Sequence, residues 1–141
     1  MGPNPKDRRS VSSGVPWEEK YGYSRAMRVG DHIYVSGTTA TGPSGLVAKG
    51  DPGGQARYAL DKIEKAIRDL GGSLRDVVRT RIYIARMEDW EEVAKVHGER
   101  FGTIRPANTM VRAELVGEEY LVEIEAEAVV GGSGFPSEST S

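Results

Sequence analysis

Residues 101–116 read FGTIRPANTMVRAELV and residues 121–130 read LVEIEAEAVV. Both runs alternate, and alternation with a period of two marks a strand whose faces meet different surroundings. In the first run Asn108, Met110, Arg112 and Glu114 share one face, with Thr109, Val111, Ala113 and Leu115 on the other. In the second, Glu123, Glu125 and Glu127 oppose Val122, Ile124, Ala126 and Ala128. The two runs are expected to be the last two strands of the fold, paired antiparallel. A polar strand face is ordinarily just solvated. Three carboxylates in line nevertheless need cations, water or a cleft, and Glu123 lies mid-strand among β-formers. A carboxylate held beside an opposing charge in a cleft is a candidate for positioning water or moving a proton.

Upstream, VVRTRIYI at 77–84 alternates in the same way and predicts a strand whose arginines, Arg79 and Arg81, face away from the helices. Between 51 and 72, Asp51 can cap the free amides of a helix, Pro52 suits its first turn and Gly71-Gly72 permits a left-handed exit. Leu60, Ile63, Ile67 and Leu70 form its apolar stripe, and Lys62, Lys65, Arg68 and Asp69 lie on the opposite face. A second helix is expected from Glu88 to Phe101, with Trp90, Val93, His97 and Phe101 on one stripe. Trp17, Trp90 and His97 read as packing residues. YSRAMRVGDHIYVSGTT at 23–39 predicts a hairpin turning at Gly30-Asp31, and ATGPSGLVAKGDPGG at 40–54 predicts an irregular loop.

The order strand, strand, helix, strand, helix, strand, strand is α+β, with a hairpin at each end and two helices covering one face of the sheet. The second face mixes Tyr, Ile, Val and Met with charges, a surface that often hides against another subunit, so oligomerisation is expected. The polar start MGPNPKDRRSVSSG and the Gly- and Ser-rich end GGSGFPSESTS predict a flexible N-terminal segment at 1–16 and a flexible tail at 131–141, around one domain at 17–130.

A chain of 141 residues with 38% hydrophobic content can bury one core. It has no cysteine, which excludes disulfides, thiolate nucleophiles, Cys-ligated zinc and iron–sulfur clusters. His32 and His97 lack HxxxH or HExxH spacing, so no metal is expected. The net charge of -2, from 19 basic and 21 acidic residues, gives no field toward nucleic acid or an anionic membrane. A small-molecule or protein partner fits better. Gly42, Gly45 and Gly53-Gly54 make no GxGxxG, and no Walker lysine follows. Without a secretory signal, or an apolar run near the roughly 20 residues that span a bilayer, the chain is expected in the cytoplasm.

The segments GYSRAMRVGDHIYVSGTT, VHGERFG, RPANTMV and LVEIEAEAVV, together with GDPGGQARYALDKIEKAIRDLGGSLRDVVRTRIYIARMEDW, resemble the Rid family (reactive intermediate deaminase, also called YjgF) over about residues 21–130. The resemblance implies a chorismate-mutase-like β-β-α-β-α-β-β subunit and a homotrimer with ligand clefts at its interfaces. It further implies hydrolysis of a reactive 2-enamine or 2-imine acid to a 2-oxo acid and ammonia, without a cofactor. In deaminating members an arginine just after Pro-Ala grips the substrate carboxylate with two hydrogen bonds, and the first Glu of the EIEA motif handles the water.

Carried over by position, Glu123 is the catalytic candidate, while Tyr23 and Gly37 line the cleft. Asn108 stands at the arginine position. Met110, on the Asn108 face, and Arg25, near Tyr23, complete the substrate-binding candidates. An amide offers no charge in place of a bidentate pair worth ~1.5 to 3 kcal/mol for each charged hydrogen bond, so binding of 2-imino acids should weaken at least about tenfold. Ala94 and His97 also replace the Asn and Tyr of many members. Arg25, Arg105 and Arg112 are the candidate substitute cations. The expected function is binding of a small metabolite, with hydrolysis of an imine, enamine or related C–N bond and weak action on 2-imino acids. The alternative is a non-catalytic ligand sensor or interaction module. Nucleic-acid cleavage is disfavoured by the balanced charge and the lack of an aromatic-basic stripe.

Overall fold

The structure, a computed structural model, describes residues 7–131. A strand β1 (Arg8–Val11) leads into a short helix α1 (Pro16–Tyr21). Strands β2 (Ala26–Val29) and β3 (His32–Thr38) then form the expected hairpin, turning at Gly30 with φ 59. A miniature ribbon, β4 (Thr41–Gly42) with β5 (Gly45–Leu46), precedes the long helix α2 (Pro52–Asp69). Strand β6 (Val77–Ile84), helix α3 (Trp90–Phe101), β7 (Ala107–Arg112) and β8 (Val122–Val129) complete an α+β fold. Helix α2 starts as its sequence predicts: the Asp51 carboxylate accepts a hydrogen bond from the Gly54 amide at 2.9 Å. It exits through Gly71 at φ 88.

The main sheet runs β1-β2-β3-β8-β6-β7, antiparallel throughout except for the parallel pair β6 and β7. This corrects the expected hairpin of the last two strands, because β6 lies between β7 and β8. Alternation tells which residues share a face but not which strand lies alongside. Helix α3 links β6 to β7 by a crossover, and such a connection joins parallel neighbours. Strand β8, with Val122, Ile124, Ala126 and Ala128 all buried, takes the centre. Two smaller expectations also change. Part of the segment at 1–16 is ordered, since Arg8–Val11 pairs with Val29–Ala26 and covers an edge β2 would otherwise leave open. The loop at 40–54 contains the β4–β5 ribbon. Residues 1–6, and the expected tail past Gly131, lie outside the described residues.

The core fills the space between one sheet face and the two helices. Leu60, Ile63 and Ile67 of α2 and Val93, Val96 and Phe101 of α3 pack on Ile33, Ile82, Ile84, Val122 and Ile124. Each fully buried aliphatic side chain stabilises the fold by about 1.5–3 kcal/mol. Trp90 and Trp17, expected to pack, are 48% and 45% exposed. Trp90 opens α3 on its outer side and Trp17 sits on α1, outside this core. No helix among the described residues is long and apolar enough to cross a membrane.

Candidate functional site

The uncovered sheet face carries the three glutamates of β8. Arg81 of β6 reaches Glu125 at 3.2 Å and Glu127 at 2.9 Å, and the Tyr83 hydroxyl donates to Glu125 at 2.8 Å. Pairs this exposed are largely screened by solvent, but they engage two of the three carboxylates. Glu123 has no such partner among the described residues. Burial raises its carboxyl above the ordinary range, Arg25 opposes that shift and Glu125 adds to it.

A register shift in β3 brings the backbone to Glu123. Val35 pairs with Ala126 but Thr38 with Ile124, so a bulge at Ser36-Gly37 sets one extra residue against β8. Gly37 then lies so near Glu123 that a Cβ at this position would collide with the carboxylate, Oε2 first and Cδ at 3.0 Å. Its carbonyl accepts from Arg25 Nη2 at 2.9 Å. Arg25 is only 8% exposed, and its Nε lies 3.8 Å from Glu18 Oε2 without a hydrogen-bond partner. Burial pushes the Glu18 carboxyl up, but hydrogen bonds from Ser13 and Ser12 and the Arg25 charge outweigh it and hold the pKa below its usual value. Glu18 thereby fastens the N-terminal segment over the sheet edge.

These groups line a cavity of about 540 Å³, roofed in part by Trp17 and Tyr21 of α1. The structure therefore gathers four of the six candidates, Tyr23, Arg25, Gly37 and Glu123. It does not bring Asn108 and Met110 to them. Asn108 pairs with Thr80, and Met110 with Ile82, on the helix-covered side of the sheet, whereas Glu123 pairs with Tyr83 on the uncovered side. Met110 packs against the core. The Asn108 amide donates to Thr80 Oγ1 at 2.9 Å, and Thr80 Oγ1 lies 2.8 Å from His97 Nε2. The Thr80 hydroxyl can accept from Asn108 and still either donate to His97 Nε2 or accept from it, according to the His97 tautomer. Burial lowers the His97 pKa. Two departures from the deaminase pattern, at 97 and 108, thus touch the same threonine. Of the candidate cations, Arg25 alone lines the cavity; Arg105 occupies an exposed turn at φ 53, and Arg112 ends β7, also exposed.

Sequence reasoning missed Lys62 and Tyr120, whereas Thr41 begins the loop, Thr41 to Gly50, expected to set ligand specificity. Lys62 was read as solvent-facing, yet it is half-buried in the cleft wall, with Nζ donating to Thr39 O at 3.2 Å and Thr41 O at 2.9 Å. Burial and then the Arg25 charge lower its pKa, with Glu18 opposing. The available signal was the run Tyr58, Lys62, Ala66 at i, i+4, i+8, beside the apolar stripe. Thr41 donates to the Tyr120 hydroxyl at 2.8 Å, which ties the β4–β5 ribbon to the segment before β8. Among the described residues no cluster of His, Asp and Glu is arranged to hold a metal ion.

The family model described as endoribonuclease L-PSP matches residues 17–130. An uncharacterized protein of Streptomyces coelicolor is 37% identical over 124 residues, spanning 87% of this chain and 92% of its own. The 3-aminoacrylate deaminase RutC of Acinetobacter baylyi is 32% identical over 109 residues, 77% of this chain and 86% of its own. A crystal structure of a Mycobacterium tuberculosis member of the YjgF/YER057c/UK114 family superposes with a TM-score of 0.80 at 46% identity, covering 88% of this chain and 100% of the other. With a family model that matches residues 17–130 and a family structure that superposes over 88% of the chain, the chain belongs to the endoribonuclease L-PSP family, also called YjgF or Rid.

Proposed function

We propose that this protein binds a small metabolite in the cleft beneath α1 and hydrolyses an imine, enamine or related C–N bond, with Glu123 handling the water. The observation that carries this reading is the state of Glu123: it is half-buried, raised in pKa and without an ion-pair or hydrogen-bond partner among the described residues, and it is held against the Gly37 bulge at the wall of a cavity. A carboxyl so placed can take a proton from water as the oxygen attacks the C=N carbon. It can then return that proton to the nitrogen, take the proton of the adduct's hydroxyl and pass it on to the nitrogen as the C–N bond breaks, which leaves a carbonyl and a free amine. No cofactor enters the balance. The relative named as a 3-aminoacrylate deaminase supports this reaction class.

Action on 2-imino acids is weak in this proposal. The position that matches the carboxylate-binding arginine is Asn108, a neutral amide already engaged by Thr80. A homotrimer is proposed as well, with the cleft completed across the interface. Asn108 and Glu123 face opposite sides of one subunit's sheet, and exposed Tyr34 and Val111 leave apolar area on the uncovered side. The neutral Asn108 also favours a second reading, a sensor that binds without turnover.

The test is semicarbazide trapping of products from a panel of imines and enamines, with wild type and Glu123→Ala. The expected result is Glu123-dependent turnover of at least one compound, with 2-aminoacrylate among the poor substrates. A robust, Glu123-dependent rate on 2-aminoacrylate overturns the claim of weakness. No turnover across the panel, with an unaltered metabolite recovered from the native protein, decides for the sensor.

A further inference from the structure

Beside the cleft lies a second cavity of about 640 Å³. One wall is the face of α2 that carries Tyr58, Lys62 and Ala66, and the other is the segment from Val11 to Pro16. Glu123 does not line it. The two cavities share Ser13, Val15, Arg25, Thr41 and Lys62, so they meet at a pair of cations. Either volume falls in the range of about 300–1,000 Å³ that suits a whole small ligand, and together they suit one longer than a three-carbon acid.

The charges at this junction do not balance. Lys65 is matched by Asp69 at 2.8 Å, and Arg25 is partly offset by Glu18 at 3.8 Å. Lys62 has no carboxylate within salt-bridge distance among the described residues; two carbonyls take two of its three protons. The remaining Lys62 donor sits where the cavities join, beside the Arg25 charge, which is 8% exposed and whose Nε is itself closed to solvent. A half-buried ammonium with a spare donor is stabilised most by an oxyanion, through charge-assisted hydrogen bonds. The lowered pKa of Lys62, caused first by burial and then by Arg25, reports the same unmatched charge.

We propose that the second cavity takes the oxyanion end, carboxylate or phosphate, of an elongated ligand whose other end lies in the cleft, and that Lys62 recognises that anion. This rests on the cleft being a ligand site but not on turnover there. It also gives the N-terminal segment a role, because Glu18 holds Ser12 and Ser13 in place as the outer wall.

The test is calorimetric titration of the full chain with succinate, adipate, suberate, hexanoate and glycerol 3-phosphate. At least one of these anions is expected to bind, and the dicarboxylate and phosphate arms tell which oxyanion is preferred. Lys62→Met should weaken that binding by about tenfold or more, the equivalent of one charge-assisted hydrogen bond. Lys62→Arg should restore part of it, and Lys95→Gln, on the exposed face of α3, should leave it unchanged. In wild type the bound anion should also protect Lys62 from acetic anhydride, read by peptide mass, which needs no variant. Failure of every anion to bind at 10 mM, or equal affinity in wild type and Lys62→Met without protection of Lys62, overturns the proposal. Anion binding without hydrolysis sinks the hydrolase reading alone; hydrolysis without Lys62-dependent binding sinks this one alone.

Discussion

Gly37→Ala separates the chemistry of the cleft from the stability of the fold. Gly37 is not among the glycines at positive φ, so alanine fits the backbone without strain. The three atoms nearest the added Cβ all belong to the Glu123 side chain, with Oε2 nearest, Cδ at 3.0 Å and Cγ at 3.4 Å. A flexible side chain yields before a backbone does. Moving Glu123 off its rotamer costs about 0.5–1.5 kcal/mol. The stiffer unfolded chain of the alanine variant returns roughly 0.4–1 kcal/mol, so the net change in stability stays under about 1 kcal/mol. The carboxylate, however, must swing by more than about 1 Å, a misplacement that can cost a hundredfold in rate. It also moves toward solvent, so the burial that raises its pKa is relieved and the titration shifts down toward the ordinary value. Urea denaturation reads the first quantity, trapped product the second, and ¹³C NMR titration of the Glu123 carboxyl the third. A stability loss above about 3 kcal/mol would show that Gly37 serves the backbone rather than the carboxylate. An unmoved Glu123 titration in a folded variant would refute the steric reasoning outright.

Opposite pH signatures are expected from the two shifted groups on either side of the sheet. Glu123 has a folded pKa above its unfolded value, so its favourable contribution is complete below about pH 4.5 and is lost as pH rises through the folded value. The stability of Glu123→Gln relative to wild type should therefore climb across that window and then level off; a flat difference in urea denaturation would contradict the burial. His97 has a folded pKa below its unfolded value, so wild type should lose stability as pH falls below about 6.5, and His97→Gln should remove that slope. Retention of the slope in the variant would assign it to another group. Asn108→Arg should raise the rate of 2-aminoacrylate hydrolysis at least about tenfold, since the bidentate ion pair is the missing binding term. No gain in the trapping assay would mean that more than the carboxylate clamp is absent.

The faces of the strands were legible from periodicity alone. Leu60, Ile63 and Ile67 are buried as their spacing predicts, and the glutamates of β8 lie opposite Val122 and Ile124. What periodicity does not carry is adjacency. The neighbours of β7 depend on the crossover through α3, a long-range choice made by packing, so the pairing expected for the last two strands was wrong. Lys62 escaped for a related reason: a helix wheel shows that it lies beside the apolar stripe, but not that the carbonyls of Thr39 and Thr41 fold back over it. The role of Glu18 was invisible, because it depends on Ser12, Ser13 and Arg25 meeting across a turn that no local signal announces.

Strand β6 stands between β7 and β8 and turns the side chains of Asn108 and Glu123 to opposite sides; with Asn108 beside Thr80 and Glu123 beside Tyr83, two strand spacings and a three-residue offset set their backbones about 14 Å apart. A single chain cannot close that gap by any rotamer change. A reaction that needs both residues therefore belongs to the proposed homotrimer, and its specific rate becomes a function of protein concentration. Dilution below the dissociation constant should extinguish it while every subunit remains folded.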